Sequence, residues 1–216
     1  MPGRLEEVRD YPRGSTLGEP WMRDSRPGAY RAGCDFAKET LGKGKGRKCL
    51  VIGSAIFEAF EIKEFGWDVT YLDIRDPDES AFKVVVGDAQ NIPLPDKSFD
   101  AVSTTCVINH AGTGRYGDGV DLERGDEIML NEIARVLKPG CRAALSFGPC
   151  VNYKSTIRLG TIHRAYTVGE VERLLGLTPF KVKEIRIWSD QNRKWIPEPV
   201  SSDPESPDYI SVRVDI

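Results

Sequence analysis

The chain is predicted to be an α/β protein: a doubly wound, mostly parallel seven-stranded sheet with helices on both faces and an antiparallel C-terminal strand. Three observations predict this. Short apolar runs alternate with helical patterns through the first five strands, which calls for a parallel sheet covered on both sides. The stretch from Lys48 to Arg75, KCLVIGSAIFEAFEIKEFGWDVTYLDIR, reads as strand, glycine turn, helix, strand. The C-terminal part holds two strand patterns with no helix between them, so the last strand turns back as a hairpin.

Residues 1–47 are read as an N-terminal arm and helix, and 48–216 as the main domain. The first two dozen residues carry Arg, Pro, Gly and acidic side chains without a period. Ser25 is placed to cap a helix with Pro27 in its first turn. Tyr30, Cys34, Ala37 and Leu41 then recur at helical spacing. Gly42 to Lys48, GKGKGRK, has the composition of a phosphate loop, but it precedes its strand and no Ser or Thr follows the lysine. It reads as a linker.

Cys49 to Ile52 form an apolar run fit for a strand buried on both faces. Gly53-Ser54 breaks it, and Ile56, Phe57, Phe60 and Phe65 then fall near one helix face. Gly66 stops that helix. Val69 to Leu72 make the second strand, ending on Asp73 twenty positions after Gly53. Such a unit offers helix-end N–H groups to one end of a ligand and a carboxylate to ribose hydroxyls. The turn Gly53-Ser54-Ala55-Ile56-Phe57 lacks the second and third glycines of G-x-G-x-x-G. Every βαβ unit also needs a turn here, so a nucleoside site and a plain turn both stay open.

Phe82 to Val86 read as the third strand, followed by Gly87-Asp88-Ala89-Gln90 and the proline loop NIPLPDKSFD. Ala101 to Val107 form the fourth strand. A glycine-rich segment, HAGTGRYGDG, runs from His110 to Gly119. Asp126 is expected to cap a helix with Met129, Leu130, Ile133, Val136 and Leu137 on its apolar face, ended by Lys138-Pro139-Gly140. Ala143 to Phe147 make the fifth strand. Thr167 and Glu170 form a capping box for a helix over Val168 to Leu175. Val182 to Trp188 form the sixth strand. Tyr209 to Val214 alternate, so they are expected at or near the sheet edge.

Composition narrows the partners. With 40% hydrophobic and 29% charged residues the chain suits a globular protein, and its formal net charge of -3 argues against nucleic-acid or membrane-surface binding. No apolar run reaches membrane-span length, and MPGRLEEVRD lacks the apolar core of a signal peptide. Cys34, Cys49, Cys106, Cys141 and Cys150 are scattered and include no C-x-x-C pair, which fits reduced thiols and a cytoplasmic protein. Two histidines, His110 and His163, rule out a histidine-rich metal site.

In open sheets of this kind ligands bind beyond the carboxyl ends of the strands. That rule nominates Gly53, Asp73, Asp88 and the stretch from Cys106 to His110. Taken together, VIGS, VTYLDIR, GDAQNIPLPDKSFDAV and LNEIARVLKPG resemble the class I, Rossmann-like S-adenosylmethionine-dependent methyltransferases. A narrower likeness is to a branch with Gly-Ser and Glu-Ala after the first strand and His-x-Gly-x-Gly-Arg-Tyr-Gly-Asp after the fourth, here Glu58-Ala59 and His110 to Asp118.

The resemblance implies S-adenosylmethionine as cofactor. Gly53, Ser54 and Ala55 would lie along its methionine part, Asp73 would hold the ribose hydroxyls, and Ile74 would lie against the adenine. Asp88 would accept from the adenine amino group, with Ala89 supplying an N–H. Cys106 and Val107 would line the pocket near the sulfonium. His110 is the candidate general base, since imidazole titrates near neutral pH; a loop-shaping hydrogen bond is its other reading. Arg115, Tyr116, Asp118 and His163 are candidates for reading a small-molecule or saccharide-like acceptor in O- or N-methylation. Asp100 is expected to be a structural carboxylate. The alternative is a non-catalytic binding module that keeps the fold without the cofactor, and a nicotinamide-dependent redox enzyme is a third reading.

Overall fold

Successive side chains of the first strand leave on opposite faces of the sheet, and both faces are covered. The computed structural model describes residues 28–53, 56–77, 81–150, 163–189, 192–198 and 208–216. In chain order the elements are α1 (Ala29–Leu41), β1 (Lys48–Ile52), α2 (Phe57–Glu64), β2 (Asp68–Asp73), β3 (Lys83–Val86) and β4 (Phe99–Thr105). There follow α3 (Gly125–Val136), β5 (Leu137–Cys150), α4 (Val168–Leu175), β6 (Lys181–Ser189), β7 (Lys194–Ile196) and β8 (Asp208–Asp215). Cys49 and Val51 pack with Phe36, Ala37, Ile56 and Ile62 from α1, α2 and the turn before α2. Leu50 and Ile52 join Met129, Leu130, Ile133, Val171 and Leu174 from α3 and α4. The doubly wound architecture thus follows from a continuous apolar run, which only a doubly covered parallel sheet can bury.

The sheet order is β3-β2-β1-β4-β5-β8-β6-β7. β1 pairs parallel with β2 and β4, β3 with β2, and β5 with β4. β8 lies antiparallel between β5 and β6. The final strand is therefore antiparallel as expected, but it is interior rather than at the edge. Its alternation misleads because Ile210, Val212 and Val214 face one core while the small Ser211 is also buried. Among the described residues the sheet has eight strands instead of seven. The extra one, β7, is a three-residue ribbon on β6 that brings Trp195 against Trp188 and Phe36.

Two boundaries also differ from the sequence reading. α3 stops at Val136, and Leu137 already pairs with Phe99, so Lys138-Pro139-Gly140 lies inside β5. The turn before β4 takes the last helical carbonyls, with Lys97 N–H donating to Arg135 and Ser98 N–H to Val136. Asp126 is within the first turn of α3 instead of capping it; the Asp121 carboxylate accepts the Glu123 and Arg124 N–H groups. The capping box at Thr167 and Glu170 is present. Ser25 and Pro27 lie outside the described residues.

The motif pair that carried the family likeness is held together by one guanidinium. Arg135 donates to the carbonyls of Ile92 and Leu94 and to the carboxylates of Asp96 and Glu132. Glu132 in turn accepts the Ile92 N–H at 2.8 Å. Arg135 and this N–H keep Glu132 below the usual carboxylate range despite its partial burial. Asp100 accepts from Lys48 N–H and Lys138 Nζ at the amino end of β4, which makes it structural.

α1 approaches β4 closely because Gly33 has no Cβ. One placed there would lie 2.6 Å from Thr105 Cγ2, and Thr105 is buried and stiff at χ1. Gly33→Ala should destabilise the chain by about 1–3 kcal/mol through overpacking. In a Thr105→Ala background the same change should stabilise by about 1 kcal/mol through helix propensity. Urea midpoints of the double-mutant cycle read this, and a cost unchanged by Thr105→Ala would refute the contact.

Burial raises the pKa of Cys34, Cys49, Tyr71 and Tyr166 well above their ordinary values. Each keeps its proton in the folded chain at pH values where the unfolded chain has lost it. The stability that these four groups contribute is therefore full below pH 9.0 and falls as pH rises past 9.0 for the thiols and 10.0 for the phenols. Denaturant midpoints that stay level across that window would contradict the assignment.

Candidate active site

The carboxyl ends of β1 to β4 converge on one side of the sheet. β1 runs into Gly53, whose φ of 54° is left-handed and whose N–H donates to Leu72. A Cβ on Gly53 would stand 3.0 Å from Val107 Cγ2, so the turn and the end of β4 touch there. Ser54 and Ala55 lie outside the described residues. Phe57 is 4% exposed and packs against Cys34 and Tyr30 of α1.

β2 ends on Asp73. Its Oδ2 accepts from the Tyr71 hydroxyl at 3.0 Å, and Oδ1 accepts the Arg75 N–H at 2.9 Å. Burial, then the Asp73 charge, then this hydrogen bond push the Tyr71 phenol up, so it stays a donor to Asp73. Ile74 follows, half-buried. Gly87 N–H donates to the Asp73 carbonyl, which sets the start of the next tip beside the carboxylate of β2. Asp88 then accepts the Gln90 N–H at 2.8 Å on Oδ1 and the Gly119 N–H at 2.9 Å on Oδ2. Ala89 packs against the core. At the end of β4, Cys106 is buried with a φ of 57°, an unusual conformation for a side chain with a Cβ. Its N–H donates to the Ser146 carbonyl.

The glycine segment folds back over these tips. Gln90 Nε2 donates to the Gly119 carbonyl at 2.9 Å, which together with Asp88 fastens the segment to the end of β3. Tyr116 lies with its ring 5.3 Å from the guanidinium of Arg75 and 5.3 Å from that of Arg115, within cation–π range. His110 closes a 3₁₀ turn (Ile108–His110) and meets Tyr116 edge-on at 5.4 Å and His163 at 6.0 Å. The Asn109 amide lies 3.3 Å from His110 Nε2. Asp118 accepts the Tyr116 N–H and so belongs to the loop's own geometry. His110, Arg115, Tyr116 and His163 are thus drawn into one cluster, linked through Arg75 to the tip that carries Asp73. Gly53 and Val107 meet below, with Cys106 adjoining.

Several residues that shape the site were not nominated as site residues from the sequence, although Glu58 belongs to the Glu-Ala pair of the narrower likeness. Arg164 is buried beside His163 and reaches the glycine segment. Glu58 is fully buried in α2 and accepts from Ser103 of β4. Gln90 and Arg75 follow the nominated carboxylates by two positions. Only the spacing from Asp73 and Asp88 would have flagged these last two.

The residues present fit an adenosyl cofactor. A carboxylate has about four acceptor positions; the Tyr71 hydroxyl and the N–H and Nε of Arg75 face Asp73 and leave about one for a ribose hydroxyl. Asp88 retains room for one more donor after Gln90 and Gly119. The left-handed turn at Gly53 brings bare backbone to the crevice at the switch of strand order between β1 and β4.

Comparisons with known proteins agree with this architecture. A family model described as a methyltransferase domain matches residues 41–145. A demethylmenaquinone methyltransferase of Corynebacterium efficiens is 24% identical over 195 residues, covering 86% of this chain. This chain spans 62% of that protein's length. Among solved structures, the Burkholderia thailandensis 1,6-didemethyltoxoflavin N1-methyltransferase, with 1,6-didemethyltoxoflavin and S-adenosylhomocysteine bound, aligns with a TM-score of 0.66 at 16% identity. The alignment covers 91% of this chain and 80% of that one. The [4+2]-cyclase SpnF aligns with a TM-score of 0.62 at 14% identity, over 86% and 79% of the two chains. Residues 41–145 of this chain thus match a methyltransferase domain, and the strand order, the glycine turn and the two strand-tip carboxylates belong to the Rossmann-like fold that the chain shares with these solved structures.

Proposed function

We propose that the chain transfers a methyl group from S-adenosylmethionine to a small-molecule acceptor with hydroxyl or amino groups. The observation that carries this reading is the placement of Asp73 and Asp88 on neighbouring strand tips, beneath a loop that supplies His110 and Tyr116. In it, Asp73 accepts from the ribose hydroxyls, Ile74 lies on the adenine, and Asp88 and the Ala89 N–H meet the adenine edge. Gly53, Ser54 and Ala55 follow the methionine part, and Cys106 and Val107 wall the region of the reacting carbon.

The cofactor supplies an activated methyl group for in-line displacement. What remains for the protein is alignment, exclusion of water and removal of a proton from an oxygen or nitrogen acceptor. His110 is the base; the Asn109 amide beside its Nε2 orients the ring, and with the amide oxygen turned to accept from Nε2–H the Nδ1 lone pair is left to take the proton. His163, Arg115, Tyr116 and Asp118 surround the acceptor. Domain likeness to small-molecule methyltransferases supports the acceptor class, while the cyclase neighbour shows that this fold also hosts other chemistry.

The second reading, a binding module without catalysis, draws on Asp88, whose two oxygens already accept backbone N–H groups of this chain. Calorimetric titration with S-adenosylmethionine, S-adenosylhomocysteine and NAD separates the readings. Binding of the first two alone supports the enzyme; binding of none supports the module. Asp73→Ala should weaken S-adenosylhomocysteine binding roughly ten- to a hundredfold, as loss of charge-assisted hydrogen bonds does. The variant should still fold, and an unchanged affinity removes Asp73 from the site.

A further inference from the structure

The segment from Gly112 to Arg124 is a loop whose two ends meet. Asp121 N–H donates to the Gly112 carbonyl, and Gly125 N–H donates to the Asp121 carbonyl. A Cβ on Gly125 would lie 2.5 Å from Gly112 Cα, so the two backbones touch where no side chain fits. This is the form of an Ω-loop, closed at its neck.

One side chain from outside reaches that neck. Arg164 is 5% exposed. Its Nη1 donates to the Ala111 carbonyl before the loop, and its Nη2 to the carbonyls of Asp121 and Leu122 after it. Nε faces Asp126 Oδ2 at 3.6 Å, and that oxygen also accepts from the Tyr166 hydroxyl at 3.0 Å. The Arg164 N–H donates to the Asn109 carbonyl, directly before His110. A buried guanidinium is expensive unless its donors are used, and here they are spent on both ends of one loop.

We propose that Arg164 is the positioning residue of this site: its planar fork locks the neck of the 112–124 loop and thereby holds Tyr116 and His163 against His110 over the strand tips. As a device for methyl transfer it rests on the function proposed above; as a lock on the loop it stands on the neck geometry alone. Lysine cannot replace it fully, because one ammonium does not span carbonyls on both sides of the neck.

The loop reports on itself through Arg115, a trypsin site, with cleavage after Lys63 in α2 as the control for wider unfolding. Arg164→Gln should raise cleavage after Arg115 relative to Lys63 by about tenfold or more, with Arg164→Lys in between. The His110 ring resonance should move in Arg164→Gln as its contact with the Tyr116 ring loosens. Only two histidines are present, so the signal is assignable. An unchanged cleavage ratio together with an unmoved His110 resonance in both variants overturns the proposal. Should neither variant fold, amide exchange of the unaltered chain decides. The Asp121 and Gly125 amides should exchange far more slowly than Gly117 at the loop tip, and equal rates overturn the lock. Failure of the unaltered chain to bind S-adenosylhomocysteine would remove methyl transfer while leaving the cleavage ratio to judge the lock.

Discussion

The loops over the carboxyl ends of β1 to β4 must find donors for their own carbonyls, since they lie beyond the ends of the strand ladders. Two arginines meet that requirement. Arg135, on α3, takes the carbonyls of Ile92 and Leu94 and fixes the proline loop between β3 and β4. Arg164, ahead of α4, takes those of Ala111, Asp121 and Leu122 and fixes the glycine loop after β4. Both use the guanidinium's separated donors to join carbonyls that no backbone ladder reaches. The crevice is shaped by these two forks as much as by the sheet.

The carboxylate tips and the glycine loop are consequently one structure. Asp88, placed at the tip of β3, accepts the Gly119 N–H of the same loop that carries Tyr116. Tyr116 in turn stacks with Arg75, two residues beyond Asp73. The glycine loop thus contacts Asp88 directly and the tip that carries Asp73 through Arg75. This linkage fits a transfer reaction, in which two ligands must be aligned to within a fraction of an ångström.

Much of the site was legible in the sequence because strand ends are. An apolar run of strand length, a glycine and an acidic residue at the next strand end suffice to place Gly53, Asp73 and Asp88 on one side of a parallel sheet. The capping box at Thr167 and Glu170 was equally local. The interior position of β8 was not, since Tyr209 to Val214 alternate like an exposed strand, yet β5 and β6 pair on either side of it and α1 packs against it, where Ser211 is buried. The end of α3 was misplaced for a related reason: Leu137 continues the helical period, yet β4 needs a partner and draws it into the ladder.

By itself, then, the sequence determined the doubly wound sheet, the antiparallel return and the carboxylates at the tips, because each follows from period, length and turn chemistry within a few residues. Tertiary structure alone decided that Arg75 meets Tyr116, that His110 faces His163, and that Arg164 closes the neck of the glycine loop. Those contacts join residues tens of positions apart through carbonyls and ring faces, and such partners leave no periodic mark along the chain.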